Sequence, residues 1–179
     1  MNRQFSATFA AAFLFFSLPF SISSSPLDPV VTEGIVNAPP DAVWKAFTVG
    51  SVIEQWMVAK TEFELKVGST WRTSYSKDSN LNDDMAIHHT ILAFDPGRML
   101  AFRTIRFPKS FPYPEITGTW VVVYFESAGP GKTRVTTRMF GFNDDEQGRS
   151  MRGFFERGNR SQLDALQKFF EAGVPQTLH

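Results

Sequence analysis

Two periodicities divide the chain. From Thr61 onward apolar and polar residues alternate with a period of two, the pattern of strands with one face buried. The segments TEFEL, STWRTSYS, AIHHTILAF, MLAFRTIRF, TGTWVVVYFES and KTRVTTRMFGF carry it, and the turn signals KVG, KDSNLNDD, DPGR and SAGPGK separate them. Short turns of this kind join antiparallel neighbours in a meander. Upstream, VVTEGIVNA is β-branched and predicts a further strand from about Val31 to Asn37. Elsewhere apolar residues recur at helical spacing. Pro39 and Pro40 favour a helix start, Asp41 suits the first turn, and Val43, Trp44 and Phe47 form a stripe that Gly50 is expected to end. Ser51 stands where a cap would open a second short helix through Met57, with Val52, Ile53, Trp56 and Met57 on one side. The last stretch, Asp145 to about Ala172, predicts a long helix with the stripe Met151, Phe155, Leu163, Leu166 and Phe170, flanked by Phe154 and Phe169. Gly173 and Pro175 stop it.

The order is strand, two short helices, about six antiparallel strands, long helix. The expected class is therefore α+β, a curved antiparallel sheet of six to seven strands around a C-terminal helix.

Composition adds a compartment. The 179 residues include 19 phenylalanines but no cysteine, and six of the phenylalanines crowd into residues 1–25. That segment has Arg3, then an apolar run from Ala7 to Phe20, then small residues whose Ser21-Ile22-Ser23 and Ser23-Ser24-Ser25 fit signal-peptidase cleavage. Residues 1–25 are expected to be a signal peptide, cleaved near Ser23–Ser25, and the mature protein to be periplasmic or secreted; an uncleaved anchor is the alternative. A spanning helix needs about 20 apolar residues, and Pro19 interrupts this run. With no cysteine after it, a lipoprotein anchor is excluded. Residues 26–30 read as a linker, 31–174 as the domain and 175–179 as a tail. Without Arg3 the formal charge is −1, which offers nucleic acid no electrostatic footprint.

VNAPPDAVWKAFTVGSVIEQWM, FELKVGSTWR, LAFDPGRMLAFR, GKTRVTTRMFGF and GNRSQLDALQKFFEAG, in this order, resemble the Hsp90-ATPase-activator-homologue (AHSA1-like) branch of the START-like (SRPBCC) superfamily. The resemblance covers roughly Val31 to Gly173. It implies a helix-grip fold with a cavity between sheet and terminal helix, and relatives that bind or transform hydrophobic small molecules. The family's name comes from a cytosolic co-chaperone domain, a partner an exported protein would not meet. The family usually carries tryptophan after the helix glycine; here Gly158 is followed by Asn159, a change that would enlarge or polarise the cavity.

The candidate ligand-binding set is Trp56, Trp71, Thr73, Tyr75, Phe102, Thr104, Phe155 and Asn159. Trp44 and Phe47 read as core; Trp56 and Met57 fall at the cavity mouth. Trp71, Thr73 and Tyr75 share one strand face, as do Leu100, Phe102, Thr104 and Arg106. Arg106 is either a carboxylate anchor within the cavity or a solvated strand end. Asp83, Asp84, His88 and His89 do not make a compact metal site, because adjacent strand histidines point to opposite faces. The bulk of Leu92 and Phe94 phases His88 inward; were the protein a cyclase or dehydrase, His88 or Tyr75 would be the acid or base. Cofactor motifs are absent: SAGPGK lies between strands, whereas a phosphate loop opens a helix. The loop FPKSFPYPE, Phe107 to Glu115, is either a lid, a partner patch or a loop tucked on its own surface. TWVVVYF is apolar on both faces, so its outer side either forms a homodimer or is covered by a loop.

Overall fold

A computed structural model of the chain describes residues 26–113 and 118–173. The signal-peptide, anchor and tail expectations, together with Pro114, Glu115 and Pro175, lie outside these residues. The elements run β1 (Val30–Val36), α1 (Pro40–Thr48), α2 (Gly50–Trp56), β2 (Lys60–Glu62), β3 (Thr70–Ser74), β4 (Ile87–Asp95), β5 (Met99–Arg106), β6 (Trp120–Ser127), β7 (Thr133–Phe140) and α3 (Glu146–Glu171). All pairings are antiparallel, and the sheet order is β1-β7-β6-β5-β4-β3-β2. Strands β2 to β7 form the expected meander, and β1 closes on the last strand. The fold is the expected helix grip.

Pro40 opens α1 at its first position, where a missing N–H costs nothing, and Asp41 sits in the first turn. The boundary after α1 differs from expectation. Gly50 is the first residue of α2, and the break is made by the extended backbone of Val49 (φ −108°, ψ 114°). No side chain caps α2, so Ser51 does not play that part. Strand β2 is also shorter than TEFEL: only Lys60 to Glu62 pair, while Phe63 and Leu65 pack on the core. The presumed linker is docked, with Leu27 N–H donating to Phe142 O at 2.8 Å and Leu27 packing beside Val30 and Met151.

Asp145 caps α3, its carboxylate accepting from Gly148 N–H at 2.6 Å. The helix then packs chiefly on β1. Gly34 faces it there. A Cβ at this position would stand 2.8 Å from Leu163 Cδ2 and 3.2 Å from Gln167 Nε2. The bare backbone lets Leu163 reach burial and lets Gln167 Nε2 donate to Ile35 O at 2.9 Å. The core proper gathers Val36, Val43, Ile53, Trp71, Ile91, Leu100, Phe125, Leu163, Leu166 and Phe170. Trp44 and Phe47 belong to it, both edge-on to Phe125 at 5.6 and 5.1 Å.

The outer sheet face stays partly apolar and uncovered. Val31 is 53% exposed and Trp120 38%, the latter stacked on Phe140 at 5.0 Å.

The Gly34 contact generates a test. Gly34→Val should lower stability by about 1–3 kcal/mol, the cost of overpacking a fitted site, read as a lower urea midpoint. A midpoint unchanged from wild type would show that α3 is not held by close approach at β1.

Candidate functional site

A cavity of about 500 Å³, partly open to solvent, lies between the inner sheet face and α3. Its size is that of a small-molecule site. Trp71 and Thr73 of β3 form one wall, 1% and 2% exposed. The Trp71 indole donates to Thr61 Oγ1 at 2.8 Å, which fixes the ring. Phe102 and Thr104 of β5 continue this wall, with Phe102 edge-on to Trp71 at 5.2 Å. Val121 and Val123 of β6 and Thr137 and Met139 of β7 complete the floor. Trp56 and Met57, at the end of α2, stand at one margin; the Trp56 indole is held by Ala46 O at 2.9 Å and by the Phe47 ring at 5.0 Å. Phe155 and Asn159 face the space from α3. Tyr75, just past the end of β3, lines the rim with 70% exposure. Nearby atoms raise its phenol above the ordinary value by desolvation, but a ring so exposed feels this weakly, and the phenol is protonated at neutral pH in any case.

The histidine assignment changes. His89, not His88, lines the cavity. Two register shifts between β4 and β5 are responsible. Pairing runs His88↔Arg106, His89↔Thr104, Ile91↔Phe102 and Ala93↔Ala101, leaving Ile105 and Leu92 as extra residues. The bulge at Leu92 places both Ile91 and Phe94 on the inner side, so phasing back from Phe94 selects the wrong histidine. The bulge at Ile105 turns Arg106 to the face of His88 and Arg72. There Arg106 is neither a cavity anchor nor simply solvated: it donates to Asn82 O at 3.3 Å and Asp83 O at 2.8 Å. His88 Nε2 donates to Leu81 O at 3.0 Å. Asp83 accepts from Asn80 N–H, Ser79 Oγ and Met85 N–H, and the Asn80 amide chiefly holds its pKa below the ordinary carboxylate value. Among the described residues no group of three or more histidine or carboxylate side chains is placed to hold a metal ion.

Inside the cavity His89 has Nδ1 3.0 Å from Thr104 Oγ1 and Nε2 3.5 Å from Thr73 Oγ1, with its ring 4.9 Å from Trp71. Burial, with the electrostatic influence of neighbouring His88 second, lowers its pKa to about 3. The imidazole is thus neutral near pH 7 and too weak a base to match a general-base role there. Among the described residues, none of the side chains around the cavity is Asp, Glu, Lys or Arg.

The proline-rich loop forms the end wall. Phe107 and Phe111 stack at 4.2 Å, Phe111 meets Phe154 edge-on at 5.6 Å, and Tyr113 Oη lies 2.9 Å from Ser150 Oγ on α3. Residues 107–113 therefore seat on the first half of α3, and Phe107, Pro108 and Phe111 face the cavity. Gly158 and Gln162 also line it; their signal in the sequence is the interruption of the apolar stripe between Phe155 and Leu163.

Residues 37–171 match the family described as Activator of Hsp90 ATPase homolog 1-like protein. The chain belongs to that family. No curated protein matches the sequence. Among solved structures, protein MLL2253 from Mesorhizobium loti is similar at 21% identity and TM-score 0.64, over 81% of this chain and 98% of its own. DynU16, a protein in the dynemicin biosynthetic locus, is similar at 22% identity and TM-score 0.63, over 84% of this chain and 49% of its own. The Aha1 dimer from Colwellia psychrerythraea is similar at 15% identity and TM-score 0.63, over 83% of this chain and 100% of its own. At such identities the likeness to these members of the family's fold establishes architecture alone.

The buried imidazole sets a pH dependence. The folded pKa of His89 lies below the ordinary 6.5, so the unfolded chain takes the proton first as pH falls. Its contribution to stability is complete above pH 6.5 and is lost progressively toward pH 3. Between pH 6.5 and 5 the loss should be on the order of 1–2 kcal/mol, and His89→Gln should abolish that slope. Urea midpoints of both proteins across this window measure it; parallel slopes would show that His89 is not buried neutral.

Proposed function

We propose that the cavity binds an uncharged, largely apolar small molecule reversibly, and that this exported protein acts as a binding domain rather than a catalyst. The observation that carries the reading is the lining: aromatic and aliphatic walls, a few hydroxyls and amides and, among the described residues, no ionised side chain around about 500 Å³ of space. An ionic ligand there would lose its hydration without gaining a partner charge. Catalysis has weaker support, since His88 lies off the cavity, Tyr75 sits mostly in solvent and His89 is a poor base. Membership of the family and a neighbour of this fold in a biosynthetic locus are compatible with small-molecule handling. Export rests on residues 1–25 alone. Among the described residues no helix is long and apolar enough to cross a membrane. A second reading, self-association through the outer face, draws on exposed Val31, Ile35, Trp120 and Tyr124 and on a relative described as a dimer.

Native mass spectrometry of protein isolated from its own host reads all three points: the chain mass should lack residues 1–25, a small molecule should be retained, and the main species should be monomer or dimer. A full-length, ligand-free chain would overturn both export and binding, and a strict monomer would remove self-association.

Gly158 supplies a direct test of the cavity. It sits inside α3, where glycine costs about 1 kcal/mol relative to alanine, and a Cβ there would meet no atom within 4 Å. Gly158→Leu should therefore fold at least as stably as wild type while projecting into the space, and it should lose the retained molecule. Equal retention by this variant would place the ligand elsewhere.

A further inference from the structure

The polar groups of the cavity are not equally occupied. On the sheet side, His89 lies within hydrogen-bonding distance of both Thr104 and Thr73, so that cluster satisfies itself. Thr137 on β7 and Gln162 on α3 differ. Among the described residues neither side chain has a hydrogen-bond partner. Both residues are partly exposed. The buried side-chain polar atoms left without a partner among the described residues are Arg72 Nε and Asn159 Nδ2 alone. The Thr137 hydroxyl and the Gln162 amide therefore keep accessible surface, and a further group can reach them.

That surface opens on the hollow. Thr137 stands on the inner face of β7, between Thr32 of β1 and Val123 of β6, both buried. Its short side chain, walled on both flanks, is reached from the cavity it lines. Gln162 has Gly158, Asn159 and Ala165 as neighbours on the helix surface, and all three line the same cavity. The two residues also border a recess of about 10 Å³, walled by Phe47, Trp56, Val135, Leu163 and Leu166, that shares this part of the lining. Such a recess has room for about one water-sized oxygen and none for a ring.

We propose that the ligand is a neutral alcohol or phenol, its apolar body filling the main cavity and its hydroxyl held between Thr137 and Gln162 from the sheet and the helix. This rests on the binding reading given above and adds the chemical class and its recognising residues. Each of the two side chains offers both a donor and an acceptor. A hydroxyl answers both kinds, whereas a carbonyl or ether only accepts and leaves the covered Gln162 Oε1 without a donor. A plain hydrocarbon would displace water from both groups and replace none of its hydrogen bonds.

The test uses two probes of the same shape, 2-naphthol and 2-methylnaphthalene, in which a hydroxyl is exchanged for a methyl group. Dissociation constants at neutral pH are read from quenching of the cavity tryptophans in wild type, in Thr137→Val and in Gln162→Met. The first variant keeps the branched shape without the hydroxyl, and the second keeps the chain length without the amide. Both should fold with unchanged or higher thermal stability, because neither removes a hydrogen bond within the protein. The naphthol-over-methylnaphthalene affinity ratio should fall about threefold to tenfold in each variant, the scale of one net hydrogen bond, and the difference isolates the pairwise contribution. An unchanged ratio with both probes bound would overturn the hydroxyl proposal and leave the binding reading standing. Failure of wild type to bind either probe would overturn the binding reading, and this proposal with it.

Discussion

A helix laid across a curved sheet can touch it closely in only some places, and here the place is Gly34. With no Cβ on β1, α3 comes near enough for Leu163 to be buried and for Gln167 to bond the strand backbone. Leu166 and Phe170 extend the same contact into the core. The helix packs chiefly on β1, and a hollow lined by residues of β3 to β7 lies beside it. The hollow is the geometric remainder of that packing. A side chain at Gly34 would relieve the constraint by pushing the helix outward, and the shape of the hollow would change with it.

The same helix divides its faces between two tasks. Leu163, Leu166 and Phe170 supply bulk for the core, whereas Gly158, Asn159, Gln162 and Ala165 supply small or polar groups to the cavity. A helix built only for packing would carry large apolar residues through positions 158, 159 and 162, because each uncovered methylene forfeits burial energy. The end wall follows a similar logic. Phe107 and Phe111 stack on each other and on Phe154 and Phe155, so the hollow is closed by rings that support one another rather than by rings reaching across it.

Much of this architecture was legible in the sequence because it depends on unbroken periodicity. Alternation in STWRTSYS places Trp71 and Thr73 inward, and helical spacing gives α3 its buried stripe. Legibility fails where one residue is inserted into a ladder. Leu92 and Ile105 look like ordinary strand residues, and nothing in their chemistry announces a bulge; only the pairing partner reveals that one strand has a residue to spare. A single such residue reverses every inward and outward assignment beyond it, which is why His88 and Arg106 were misplaced while Thr104 and Phe102 were not. The Gly50 boundary failed for a different reason: glycine is tolerated at the opening of a helix, and the break was made by the extended backbone of Val49. The exposure of Tyr75 was illegible because alternation gives direction but not where the strand, and with it the cover, ends.

The correction from His88 to His89 alters the chemistry more than the geometry. An imidazole at its ordinary pKa changes its charge state close to neutrality and is fit to move protons. Enclosed by Trp71 and Phe102, His89 loses the water that would stabilise its cation, and the two threonines beside it bring dipoles but no counter-charge. It therefore remains neutral across the physiological range, and its ring serves as wall and fixed hydrogen-bonding group. Among the described residues that line the cavity none is Asp, Glu, Lys or Arg, and His89 is kept neutral by burial, a lining that suits the uncharged guest proposed above. The low polarity of the enclosure that keeps this imidazole neutral is the same property that would favour entry of an apolar guest.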